Sequence, residues 1–157
     1  MGAEMRYAED FAPGDTFDLG SVEVTADELL AFAAEFDPQP FHLGEEPGEK
    51  HGFGGLIASG WHTAAMFQRL YVDGLLSGAA VAASPGVDEL RWFSPVRPGD
   101  VLRGTATVVG EPGPSLSRPD CSVLRHRCEL TDTSGRPVFR MTLHVLFRKR
   151  PREEANA

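Results

Sequence analysis

The chain has only two cysteines among its 157 residues, Cys121 and Cys128, and no Cys-x-x-Cys motif. Seven positions apart in one expected strand, at about 3.3 Å per residue, they stand roughly 23 Å from each other on opposite faces, outside disulfide reach. A disulfide-stapled secreted domain is excluded, and a reducing cytoplasm is the expected location. Lysine is equally scarce, at Lys50 and Lys149 alone. Positive charge is short overall: 15 Lys+Arg face 23 Asp+Glu, a formal net charge of -8, and coating nucleic acid needs a net basic surface. No nucleic-acid partner is expected. Long apolar runs are missing too. The longest weakly polar stretch, residues 74–86, falls well short of the roughly 18 apolar residues that span a bilayer. Residues 1–15 are acidic and mixed where a secretory leader is basic and then apolar, and Arg6 stands where a myristoylation signal needs Ser or Thr. The expectation is a soluble protein with no membrane partner.

Hydrophobic residues make up 41% and charged residues 24%, which are globular values rather than those of a disordered chain. The length suits one domain, because a chain near 150 residues buries roughly 70% of its unfolded surface around a single core. One domain over residues 1–150 is expected, with residues 151–157 as a disordered tail. Charge is unevenly spread: residues 1–60 hold 13 acidic and 2 basic side chains, residues 61–157 hold 10 acidic and 13 basic. The second part can therefore present a local basic patch.

Periodicity divides the chain into helices and then strands. Thr25 and Glu28 form a capping box ahead of Leu29, Phe32, Ala33 and Phe36, the i, i+3, i+4, i+7 spacing of an amphipathic helix that stops before Pro38. Residues 43–55, rich in Gly and Glu, read as a surface loop. Ser59, a good N-cap, opens a second helix to about Leu76 that is apolar over most of its circumference and so is expected to be central. After a loop at residues 77–86 the period becomes two, first at Leu90 and Trp92, then at Leu102, Ala106 and Val108. It continues through Leu124, His126, Cys128 and Leu130, and through Phe139, Met141, Leu143, Val145 and Phe147, with a hairpin turn at residues 132–136. Residues 110–120, with three prolines, read as a loop. The fold class is α+β, with helices against one face of an antiparallel sheet.

Asp37 and His42 are the strongest chemical candidates. They end the proline-stiffened segment Asp37-Pro38-Gln39-Pro40-Phe41-His42, and a carboxylate and an imidazole sharing one water can orient it and move its proton near neutral pH. Fully extended, the segment separates them by about 15 Å, so the chemistry requires the chain to turn back. From spacing alone, Asp37 equally fits a turn cap and His42 a surface histidine. The helix start at Ser59-Gly60 offers unpaired N–H groups to a developing oxyanion, with a glycine that admits close approach, though an ordinary N-cap reads the same way. Gly52-Phe53-Gly54-Gly55 lacks the features of a phosphate-binding loop. His42, His51 and His62 lack zinc-site spacing, so no metal is expected. His126 is expected as a hydrogen-bonded core residue, and no Gly-x-Ser-x-Gly elbow exists for a serine hydrolase.

Taken together, Asp37-Pro38-Gln39-Pro40-Phe41-His42, Phe53-Gly54-Gly55-Leu56-Ile57-Ala58-Ser59-Gly60-Trp61 and the strand motif from Leu90 to Asp100 resemble the signature of the MaoC-like hydratase family, in which D-x-x-P-x-H precedes F-x-x-x-[IV]-[AV]-H-G. The resemblance runs over roughly residues 11–148. Ser59 stands where many members carry His, and Gly44 where an acidic residue often follows the catalytic His. The resemblance implies a single hotdog fold, an antiparallel sheet wrapped around a long central helix. It also implies (R)-specific hydration of trans-2-enoyl-CoA, or the reverse dehydration. Carried over by position, Asp37 and His42 activate the water, and the Gly60 N–H stabilises the thioester oxygen. Ser59 and Trp61 are expected against substrate. Arg91, Arg97 and Arg118 are candidates for the coenzyme A phosphates, though solvated surface arginines fit as well. Coenzyme A enters as the carrier part of the acyl-CoA substrate, and no bound cofactor is implied. A homodimer or higher homo-oligomer is expected. A hotdog acyl-CoA thioesterase and a non-catalytic acyl-thioester binding subunit are the alternatives.

Overall fold

The computed structural model describes residues 2–153. Strand β1 (Thr16–Glu23) leads into helix α1 (Ala26–Phe36), whose first turn is closed by the Thr25 hydroxyl accepting from the Glu28 N–H at 3.4 Å. Short helix α2 (Glu45–Lys50) precedes the long helix α3 (Gly60–Gly74). Then come β2 (Val81–Trp92), β3 (Val101–Val108), the two-residue β4 (Gly113–Pro114), β5 (Cys121–Thr131) and β6 (Pro137–Arg148). The strands form one antiparallel sheet in the order β1-β3-β5-β6-β2, with β4 on β5.

The sheet's inner face is the one the two-residue period marks. Leu102, Ala106 and Val108 on β3, Leu124, His126, Cys128 and Leu130 on β5, and Phe139, Met141, Leu143, Val145 and Phe147 on β6 are all buried. Against them lie Thr63, Met66, Phe67, Leu70 and Tyr71, one helical stripe of α3. Burying one side chain of the size of Phe67 contributes about 2–3 kcal/mol, so this seam is the main adhesive between helix and sheet. His126 is hydrogen-bonded through Nδ1 to the Tyr71 hydroxyl, and burial pushes its pKa down to about 4, so it sits in the core uncharged.

Five expectations need correction. Residues 43–55 are not an open loop: α2 forms within them, Gly48 is buried, and a Cβ there would stand 1.8 Å from the Gly55 carbonyl oxygen. Tertiary hydrogen bonds, from the Leu56 N–H to Glu45 Oε2 (2.8 Å) and from the Arg97 guanidinium to the Phe53 carbonyl, order what its glycines alone would leave loose. β2 starts at Val81, inside the stretch read as a loop, because an edge strand tolerates Pro85 and Gly86 and absorbs them in the register shift between Ala83 and Gly86 against β6. The loop at residues 110–120 contributes β4. The helix read as running to about Leu76 ends at Gly74, and a 3-10 turn follows at Leu76–Gly78. Finally, α3 is central but not covered all round: the sheet and, at His62, Phe32 of α1 pack on it, while Trp61, Ala65, Gln68, Arg69 and Val72 are exposed, so its broad apolar surface is not all interior within one chain. Residues 151–153 carry no helix or strand, and the rest of the expected tail lies outside the described residues.

Candidate active site

Asp37 ends α1. Its N–H reaches back to the Ala33 carbonyl at 2.9 Å, and Pro38 forces the next step out of helical conformation. The chain then tightens into a 3-10 turn at Pro40–His42, held by the His42 N–H donating to the Gln39 carbonyl at 2.9 Å. That turn brings the two side chains together: His42 Nε2 lies 3.5 Å from Asp37 Oδ2, far inside the extended limit.

The hydrogen bonds around the pair assign its protons. His42 is buried, and its Nδ1 lies 2.9 Å from the Ile57 carbonyl oxygen, which can only accept. Nδ1 therefore carries the hydrogen, and in the neutral ring Nε2 keeps its lone pair on the side facing Asp37. Asp37 is clamped at both oxygens, Oδ2 accepting from the Ser59 hydroxyl at 2.7 Å and Oδ1 from the Gln39 carboxamide at 2.7 Å. The Ser59 bond first, then the Gln39 bond, hold its carboxyl below the usual carboxylate range against the opposing cost of partial burial. With the hydrogen on Nδ1, Nε2 and the ionised Asp37 Oδ2 face each other 3.5 Å apart as two acceptors, so neither donates to the other and both remain available to a third group that donates.

Ser59 does not cap α3 with its side chain, since its hydroxyl is committed to Asp37. Gly60, the first helical residue, has an N–H without a partner among the described residues, at the positive end of the helix. Glycine is required at this position by a neighbour as much as by a substrate: a Cβ on residue 60 would stand 2.6 Å from Trp92 Cε2, and Trp92 Nε1 donates to the Gly60 carbonyl at 2.8 Å. His42 and Gly60 line a cavity of about 390 Å³, walled by Ile57, Ala58, Thr63, Trp92, Phe93 and Val96, with Trp61 exposed at its mouth. A larger and more polar cleft, about 700 Å³, lies at the other end of α3 and contains none of these groups.

The three arginines do not converge on this cavity. Arg91 is exposed and stands opposite Arg140 in the β2–β6 register. Arg97 holds the Phe53 carbonyl and, through its own N–H, Asp100 at 2.9 Å. Arg118 pairs with Asp120 at 3.2 Å beside the Cys121 end of β5, where Cys121 opposes Arg148, whereas Trp92 opposes Phe139 at the far end of β6. Nine residues of strand, roughly 30 Å, separate those ends. Sequence reasoning missed Gln39, Thr63, Trp92, Phe93 and Val96 as site residues. A carboxamide two positions after Asp37 was a readable signal for Gln39; the cavity walls needed the tertiary fold. Among the described residues, no three His, Cys, Asp or Glu side chains group as metal ligands.

Comparison with known proteins finds relatives in sequence and in structure. A sequence model described as "MaoC like domain" matches residues 10–115. The solved MaoC-like dehydratase from Rhodospirillum rubrum is 44% identical and superposes with a TM-score of 0.84, covering 94% of this chain and 99% of that one. YdeM of Bacillus subtilis (strain 168), an uncharacterized protein, is 35% identical over 141 residues, 90% of this chain and 98% of its own. The 3-hydroxyacyl-thioester dehydratase Z of Mycobacterium tuberculosis (strain ATCC 25618 / H37Rv) is 33% identical over 91 residues, 57% of this chain and 60% of its own. With the family match spanning most of the chain and a long helix cradled by an antiparallel sheet, this protein belongs to the MaoC-like dehydratase family and has the hotdog fold.

Proposed function

We propose that the protein catalyses (R)-specific hydration of trans-2-enoyl-CoA to (R)-3-hydroxyacyl-CoA, and the reverse dehydration. The observation that carries this reading is the approach of Asp37 Oδ2 and His42 Nε2 to 3.5 Å beside a cavity that Gly60 also lines. A water held between the carboxylate and the imidazole presents its oxygen to C3 while His42 Nε2 takes its proton. Charge then moves onto the thioester oxygen, where the Gly60 N–H and the positive end of α3 meet it. The proton returns from the same pair to C2, so one water is added across the double bond. The sense of addition, and coenzyme A as carrier, rest on the family resemblance; the dehydratase Z relative supports thioester chemistry on a 3-hydroxyacyl group.

In this reading Ser59 acts on Asp37 rather than on substrate, and Trp61 flanks the entrance. Of the three arginines, we assign the phosphate contact to Arg91, which has no carboxylate partner among the described residues, whereas Arg97 and Arg118 are engaged within the fold. We also propose a homodimer in a reducing cytoplasm. Among the described residues β2 ends the sheet with an unpaired edge, and both cysteines are free thiols.

The experiment is hydration of a panel of enoyl-CoA esters by wild type, Asp37→Asn and His42→Ala. Loss of general acid–base help lowers the rate of each variant by about 10²–10⁴-fold. Undiminished hydration by both folded variants would overturn the assignment. Thiol release without hydration would make the protein a thioesterase instead, and tight binding with no turnover a binding subunit.

A further inference from the structure

Within the proposed hydratase reading, we infer that Asp100 is a positioning residue for His42, acting from outside the cavity through two peptide groups that it holds in line. The line starts at His42 Nδ1, whose hydrogen goes to the Ile57 carbonyl at 2.9 Å. That carbonyl shares a rigid planar peptide with the Ala58 N–H, so whatever holds one aims the other. The Ala58 N–H donates to the Val96 carbonyl at 2.8 Å. The Val96 carbonyl in turn shares its peptide with the Arg97 N–H, which donates to Asp100 Oδ2 at 2.9 Å. One series of hydrogen bonds therefore runs from the His42 ring to the Asp100 carboxylate.

All three bonds donate in the same direction, toward Asp100. A carboxylate at the end is a strong acceptor, and each polarised peptide strengthens the next bond by about 10–30%. His42, Ile57, Ala58 and Val96 are all buried, so water does not stand in for a missing link. Asp100 is itself fixed. Its N–H returns to the Arg97 carbonyl at 3.1 Å, its carbonyl accepts from the Val24 N–H at 2.8 Å, and the Gly99 N–H donates to the Val24 carbonyl at 2.8 Å. The turn between β2 and β3 is thereby pinned to the residue that follows β1.

The consequence is chemical. With the line intact, Nδ1 keeps the hydrogen and Nε2 presents its lone pair beside Asp37. Without the carboxylate, the Val96–Arg97 peptide loses the partner of its N–H, and the Ile57 carbonyl is no longer held at one angle. The ring is then free to carry its hydrogen on Nε2, where it donates to Asp37 instead of accepting from water.

The test is nitrogen-15 NMR of the histidine rings in wild type, Asp100→Ala and Asp100→Asn at about pH 9, where imidazoles are neutral. His42→Ala identifies the His42 signals, and far-UV circular dichroism shows that the variants are folded. The ring reports without substrate, so tautomer is read apart from turnover. Wild type and Asp100→Asn, whose carboxamide oxygen accepts the same bond, should show a protonated Nδ1 and a bare Nε2. In Asp100→Ala the two signals should move toward each other as the tautomers exchange, and kcat for enoyl-CoA hydration should fall about ten- to a hundredfold with KM little changed. An Nε2–H ring in the wild type would overturn the inference whatever the variants do. So would a wild-type ring pattern in Asp100→Ala, even if that variant melts lower, since lower stability is all that a turn-holding role predicts. The tautomer shift in Asp100→Ala, together with a wild type that hydrates no enoyl-CoA, would uphold the hold of Asp100 on His42 and sink the hydratase reading.

Discussion

In the proposed mechanism the chemistry turns on the Asp37 carboxylate, whose state is set by neighbours that do not react. Ser59 is the largest of these influences, followed by Gln39, and both hold the acid ionised. The sign follows: a group whose folded pKa is depressed stays charged until the pH falls through that lowered value, so activity needing the ionised form is lost only on the acid side. Ser59→Ala removes the leading cause. Its acidic limb of kcat against pH should move to higher pH than that of wild type, with kcat down by about ten- to a hundredfold through loss of orientation and KM little changed. The measurement is a pair of pH–rate profiles, and coincident acidic limbs would show that Ser59 does not act on Asp37. Asp37 and His42 were legible as a motif, but spacing alone left them up to about 15 Å apart. What closes that gap is the 3-10 turn at Pro40–His42 and the grip of the Ile57 carbonyl on His42 Nδ1, and neither leaves a trace in composition.

At the scale of elements, the start of α3 and the end of β2 behave as one unit, because Gly60 and Trp92 occupy each other's space. A methyl on residue 60 has nowhere to go. Gly60→Ala should destabilise the fold by about 1–3 kcal/mol through overpacking and depress turnover with it. Adding Trp92→Leu should restore most of the stability, as read by urea denaturation of the two single variants and the double variant. Equal and additive losses would mean that the two residues are not coupled. α1 was readable because a capping box and a 3.6-residue period point the same way, and β3, β5 and β6 because their alternating faces are simple. α2 and the first half of β2 were not. The first is ordered by Glu45 and Arg97 reaching across the loop, and the second carries Pro85 and Gly86, which signal a turn locally and are tolerated because β2 lies at the edge of the sheet.

At the scale of the whole molecule, one chain leaves work unfinished. Among the described residues β2 has a free edge; Val87 on it and Trp61 and Val72 on α3 stand 44%, 61% and 38% exposed, apolar surface of the kind a second copy covers. Light scattering should give a mass of about twice 17.0 kDa, and a monomer across a wide concentration range would contradict the proposed pairing. The acidic first part of the chain contains α1, α2 and the Asp37–His42 turn, whereas all but one of the arginines lie in the part that follows.

The central claim is that Asp37 and His42 add water to one face of an enoyl thioester. It is tested most directly by incubating crotonyl-CoA with the wild type and determining both the amount and the configuration of the product. The account predicts (3R)-3-hydroxybutanoyl-CoA from wild type and a rate about 10²–10⁴-fold lower from Asp37→Asn and from His42→Ala. The (3S) product, or wild-type rates in both folded variants, would contradict it.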